Sequence, residues 1–187
     1  MKKFCGIILL SFFLGFSNKL VAQTYAKVNL LGLPVGMFNG GLEAKISDKM
    51  TLQPEFFISP WRSFLGNKLQ IYNLNLEGRY YFKESFRHFY VGANAGIAIF
   101  DLQKWNYLNS NKYQRGYSWL FGITVGYQYP ISEKLNLDMY LGGATSQGFY
   151  HGYDIIDGQR YEPKNPWNRS GELIPYKIGV ALSYKIN

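Results

Sequence analysis

Cysteine is all but missing from this chain. Cys5 is the only one, and it lies inside the first apolar segment, not after it as a lipid-bearing cysteine would. The rest of the chain is therefore read without lipid anchor, disulfide or thiolate metal site, and pairing and packing alone must hold it. Histidine is nearly as scarce, with two residues. Apolar runs are also short: Gly6 to Phe16 spans about eleven residues, against the ~20 that a membrane helix needs. No G-x-G-x-x-G, P-loop or H-E-x-x-H occurs, and Asn168-Arg169-Ser170, a formal glycosylation acceptor, means little in a bacterial-looking chain. These absences remove nucleotide-binding, zinc-protease and disulfide-scaffold readings before anything else is asked.

The first segment has a different use. Lys2 and Lys3 precede the apolar run, Ser17-Asn18-Lys19 break it, and Leu20-Val21-Ala22-Gln23 supply a small-residue exit. That three-part order is a secretory signal, with cleavage expected after Ala22 or Gln23, so residues 1–23 read as signal peptide and 24–187 as one domain. The chain carries a net charge of +8; three of those charges, Lys2, Lys3 and Lys19, go with the signal, which leaves +5. No Lys/Arg cluster marks a nucleic-acid surface, and scattered positive charge suits anionic lipid headgroups. What the chain does have is 18% aromatic residues, 16 Tyr and 20 Gly, a composition at home in membrane barrels, whose aromatics gather at the interfaces.

Beyond residue 23 the hydrophobic period is 2. Ile178, Val180, Leu182, Tyr184 and Ile186 alternate with Lys177, Gly179, Ala181, Ser183 and Lys185. Leu74, Leu76, Gly78, Tyr80 and Phe82 oppose Asn73, Asn75, Glu77, Arg79 and Tyr81. The pattern recurs around Val28, Leu42, Leu52, Val91, Ile123 and Leu137, giving eight strands, an even number of segments near ten residues. Three short polar connections (47–49, 83–88, 132–134) alternate with four longer ones (33–37, 60–68, 102–116, 147–172), the sidedness of a bacterial outer-membrane barrel. Pro54 cannot donate to a ladder, so a bulge or irregularity is expected there. The reading is all-β: an eight-stranded antiparallel up-and-down transmembrane β-barrel of a Gram-negative outer membrane. A soluble, lipocalin-like barrel binding small apolar ligands is the alternative, but the second face carries Gly, Ala, Asn and scattered charge, too small to cover an outside.

Charge on that second face must pair if it is buried. The acids Glu43, Glu55, Glu77 and Asp138 stand beside the bases Lys27, Lys45, Arg79, Lys177 and Lys185, with Glu77 and Arg79 the expected centre of a salt-bridged plug. An eight-stranded barrel has room for side chains and not for a channel. No cofactor, metal or catalytic residue is assigned. His151, with Ser146, Asp154 and Asp157 nearby, allows a sketch of a rim enzyme acting on lipid or peptide, though loops favour Asp for turn formation; His88 is expected in a solvated turn. The segment 147–172 is the most distinctive connection, and Tyr150, Tyr153, Tyr161 and Trp167 are its candidate contact residues, since Tyr and Trp supply area at low entropy cost.

The motifs Asn29-Leu30-Leu31, Gly41-Leu42-Glu43, Pro60-Trp61, Glu77-Gly78-Arg79-Tyr80-Tyr81-Phe82, Gly126-Tyr127-Gln128 and Leu135-Asn136-Leu137-Asp138, in that order, resemble a domain-of-unknown-function family of small outer-membrane β-barrel proteins of the Bacteroidota type. A more distant similarity is to OmpA/OmpX-type eight-stranded barrels. The resemblance implies fold and placement, with outer-membrane lipid as neighbour. It carries no catalytic residue over, and cell-surface or fimbria-like partners enter only by analogy. The expected function is non-enzymatic: adhesion, surface assembly or envelope integrity through the loops.

Overall fold

The computed structural model describes residues 23–104, 110–161 and 163–187; the predicted signal segment up to Ala22, Cys5 included, lies outside them. The chain forms eight antiparallel strands: β1 Thr24–Asn29, β2 Phe38–Lys45, β3 Met50–Phe64, β4 Asn67–Tyr81, β5 His88–Leu102, β6 Lys112–Pro130, β7 Leu135–Asp154 and β8 Asn168–Lys185. Each pairs with the next, and β8 pairs with β1 to close the barrel. Among the described residues there is, apart from these, one 3-10 turn, Leu33–Val35, in the β1–β2 connection.

Alternation decides which face goes where. Glu43, Glu77 and Asp138 are fully buried, while their sequence neighbours Leu42, Leu76 and Met139 are 47, 49 and 40% exposed. The barrel is polar within and apolar without. The packing of its interior depends on glycine opposite rings. Gly126 lies across from Tyr90 and Gly179 across from Tyr140 in the ladders, and a Cβ at either would run into the facing ring. The turn end is sealed by Phe86, which is buried and packs on Tyr25, with ring centroids 4.5 Å apart; Asn136 Nδ2 donates to its carbonyl at 3.0 Å.

Three expectations change or narrow. The connections 60–68, 102–116 and 147–172 are shorter than expected: β3 and β4 meet in a tight turn at Leu65-Gly66, β6 begins at Lys112, and β7 and β8 continue to Asp154 and from Asn168. Above the apolar wall both faces of these extensions carry polar or aromatic residues, so the alternation that marks a strand fades although the ladder continues. Pro54 gives the expected irregularity but no bulge. The β2–β3 ladder pairs Gly41 with Glu55 and Ala44 with Leu52 in one unbroken register, and only the bridges opposite Pro54 and Gln53 are lost. The shifts fall instead at Trp61/Phe64 and at Gly142/Gly143. In the second, Lys177 pairs with Gly142 and Pro175 with Gly143, which leaves Tyr176 as the extra residue beside a proline that cannot donate. A bulge reverses which residues face inward, so Tyr176 and Lys177 both point inside. His88, third, is half-buried at the start of β5, its Nδ1 3.2 Å from the Tyr127 hydroxyl.

Gly126→Val or Gly179→Val is expected to destabilise the barrel by about 1–3 kcal/mol, the cost of overpacking. Urea unfolding in detergent checks this; an unchanged midpoint would mean that the rings can move aside.

Candidate functional site

Two places concentrate chemistry, the barrel interior and the outer face at the long-strand end. Inside, Arg79 on β4 is the junction. Its Nε donates to Glu77 Oε1 at 2.9 Å, and its Nη1 donates to Asp138 Oδ2 at 2.8 Å and lies 3.4 Å from Glu43 Oε2. Lys27 on β1 pairs with the same two acids, at 2.6 Å to Asp138 and in contact with Glu43. Hydroxyls fill the remaining lone pairs. Thr51 donates to Glu43 at 2.5 Å, and Tyr90 to Asp138 at 2.9 Å. The Tyr81 hydroxyl sits 2.7 Å from Glu43 and 2.6 Å from Gln128, and the Arg79 guanidinium lies over the Tyr90 ring. A second group joins through Glu77. Lys177 on β8 touches Glu77 and Glu55, the latter at 2.6 Å, and Glu55 also accepts from Gln53 at 2.7 Å and Asn75 at 3.1 Å. Tyr176 donates to Asn94 beside this group.

Of the charged residues predicted to share the interior, Glu43, Glu55, Glu77, Arg79, Asp138 and Lys177 come together, with Lys27. Lys45 and Lys185 do not. Lys45 turns to Asp48 at the short turn, at 2.8 Å, and its ammonium lowers that carboxyl below its ordinary range. Lys185 is half-buried near the same end and makes none of these ion pairs. Both have the inward parity but sit at the mouth, where water competes. The neutral partners Thr51, Tyr81, Tyr90, Gln128 and Tyr176 were not singled out from sequence. Thr51, Tyr81, Tyr90 and Gln128 have the inward parity of their own strands, whereas Tyr176 turns inward only through the bulge.

At the long-strand end the register lays out rows across the outer face. Tyr113 faces Tyr153, Arg115 faces His151, and Tyr117, Phe149 and Arg169 align across β6, β7 and β8. The rings touch: Tyr113 and Tyr153 stack at 5.5 Å, Tyr117 and Phe149 at 5.3 Å, and His151 and Trp167 at 4.1 Å. Arg115 is tied to Asp101 at 2.6 Å. Of the four predicted contact residues, Tyr153 and Trp167 belong to this face. Tyr150 has the inward parity with Lys104 5.7 Å from its ring, and Tyr161 packs against Gly152 on that same inner side.

The sketched rim triad is not assembled. His151 lies on the outer face of β7 and Ser146, five residues away, on the inner. His151 Nε2 sits 2.6 Å from the Pro166 carbonyl, an acceptor, so that nitrogen carries the proton. Asp154 and Asp157 accept from the backbone N–H groups of Ile156 and Gln159, at 2.8 and 2.9 Å, the turn-forming use of Asp. Among the described residues no three His, Cys, Asp or Glu gather as a metal site.

Fold and interior together define the class: a closed eight-stranded barrel, apolar outside and ion-paired within. The chain belongs to the family described as Protein of unknown function (DUF3575), whose model matches residues 7–186. No curated protein and no solved structure matches it.

Arg79→Met strands buried carboxylates and is expected to cost about 3–5 kcal/mol. Lys45→Met and Lys185→Met should leave the urea midpoint where it is. Equal losses in all three variants would remove Arg79 from the centre.

Proposed function

We propose that this chain is a non-enzymatic outer-membrane barrel protein, exported by its N-terminal segment, whose long-strand end presents a surface for adhesion, surface assembly or envelope integrity. The observation that carries the reading is the layered outer wall. Leu42, Leu74, Leu76, Val91, Ile123, Val125, Leu141 and Ile178 form an exposed aliphatic zone. Aromatic rings bound it on both sides: Trp61, Tyr72 and Trp119 toward the long-strand end, and Tyr80, Phe82, Phe89, Tyr129 and Tyr184 toward the short turns. An apolar band between two aromatic girdles is what a barrel presents to lipid. From Trp119 to Tyr129 along β6 the girdles stand about 25 Å apart, allowing ~3.3 Å per residue and a tilt of ~40°.

In water such a wall would be a large exposed apolar patch, which soluble monomers rarely carry. A lipocalin-like role needs an apolar interior, and here the interior holds paired charge. Conductance has no support either, since side chains fill a barrel of this size. That leaves the outer surface and the rim to carry the activity.

The test is mobility on unboiled and boiled gels of protein from outer-membrane fractions, with proteolysis of intact cells alongside. The expected result is a heat-dependent shift and cleavage confined to the β7–β8 connection, 155–167. A soluble periplasmic protein without a shift would sink the reading. Single-channel recording is expected to show a closed barrel, and a steady conductance would overturn the plugged interior.

A further inference from the structure

Directly below the row of Tyr117, Phe149 and Arg169, the outer wall has a hollow. Trp119, Gln147 and Gly171 form the next row, and Phe121, Thr145 and Leu173 the one after it. Gly171 has no side chain to fill its place, and with Gln147, Gly148, Phe149 and Arg169 it borders a hollow of about 250 Å³. Read downward, the column runs from a cation on an aromatic ring, through a hollow of mixed lining, to a mostly apolar row. Arg169 lies over the Phe149 ring, its guanidinium carbon 5.6 Å from the centroid. Among the described residues no carboxylate comes within ion-pair distance of it, whereas Arg115 on the neighbouring row is already held by Asp101. Leu173, four residues along the strand from Arg169, is 87% exposed.

We infer that this column binds a phosphate-bearing lipid of the surrounding leaflet, its phosphate on Arg169 and the Gln147 amide and its acyl chains along Leu173, Phe121 and Trp119. The inference rests on the membrane placement proposed above. Charge complementarity selects the headgroup, because a guanidinium with open donors matches phosphate geometry. Continuity of the hollow with the apolar wall selects a lipid over a soluble anion. The stacked rings of Tyr117 and Phe149 hold Arg169 at the level where headgroups lie.

The experiment uses the protein purified from outer membranes in mild detergent, with bound lipid counted by native mass spectrometry. The probes are bisphosphorylated lipid A and the same lipid after phosphatase treatment. Wild-type protein is expected to hold the phosphorylated form about tenfold more tightly, the worth of one charge-assisted hydrogen bond. Arg169→Gln should abolish that preference, while Lys45→Met, which removes a charge from the opposite end, should keep it. Gly171→Leu, which fills the hollow, should weaken both lipids; if it does not fold, the exposed Arg169→Gln still decides. Equal binding of the two lipids, or a preference that survives in Arg169→Gln, overturns the inference. So does displacement by inorganic phosphate at equal concentration, which would mark a soluble-anion site, or a dimer that Gly171→Leu dissolves, which would mark a contact between copies. Failure of the protein to enter micelles at all would instead overturn the membrane placement.

Discussion

Three cations and four carboxylates are sealed inside this barrel: Lys27, Arg79 and Lys177 against Glu43, Glu55, Glu77 and Asp138. Buried charge is tolerated only in contact with opposite charge and with hydrogen bonds on the remaining lone pairs. Much of the interior serves that condition, although Arg79 Nη2 is buried without a hydrogen-bond partner among the described residues. The hydroxyls of Thr51, Tyr81 and Tyr90 converge on the carboxylates that Lys27 and Arg79 share. Glycines 126 and 179 let the Tyr90 and Tyr140 rings lie flat enough to frame Arg79. The bulge on β8 brings Tyr176 inward beside Lys177, whose regular alternation already points it at Glu77 as that carboxylate's second cation.

That arrangement inverts the usual soluble protein. The interior is held by electrostatics and hydrogen bonds, and the apolar residues, which elsewhere make the core, are on the outside. The hydrophobic effect then has little to act on unless something other than water meets the wall. The proposed bilayer placement has this physical content: the stability of the chain would be a property of the chain and its surroundings together.

The alternation of Leu42, Glu43, Ala44 and Lys45, or of Leu135, Asn136, Leu137 and Asp138, made the wall and its two faces legible without coordinates. It worked because one face is greasy and the other is not. Above Tyr117 on β6 and Phe149 on β7 both faces are polar or aromatic, the contrast disappears, and the strands run on unseen. Parity gives the face of a residue and not its depth. Lys45 and Lys185 share the parity of Lys27 and Lys177 yet sit at the mouth, in reach of water. The bulge at Tyr176 was hidden for another reason: a register shift belongs to the partner strand as much as to its own. The triad sketched around His151 failed on the same point as many short-range constellations, since Ser146 and His151 are odd and even neighbours on opposite faces of one strand.

The ion cluster also straddles the seam. Lys27 comes from the first strand and Lys177 from the last, and their acids come from β2, β3, β4 and β7. A slip of two residues between β1 and β8 would keep every side chain on its proper face, so the apolar wall alone cannot detect it. The charges can. Moved by one such step, Lys27 on the β1 side loses Asp138 on β7, and Lys177 on the β8 side loses Glu55 and Glu77. The interior thus acts as a proofreader of closure, distinguishing the one correct joining of the two ends from joinings that the outer wall would accept as equals.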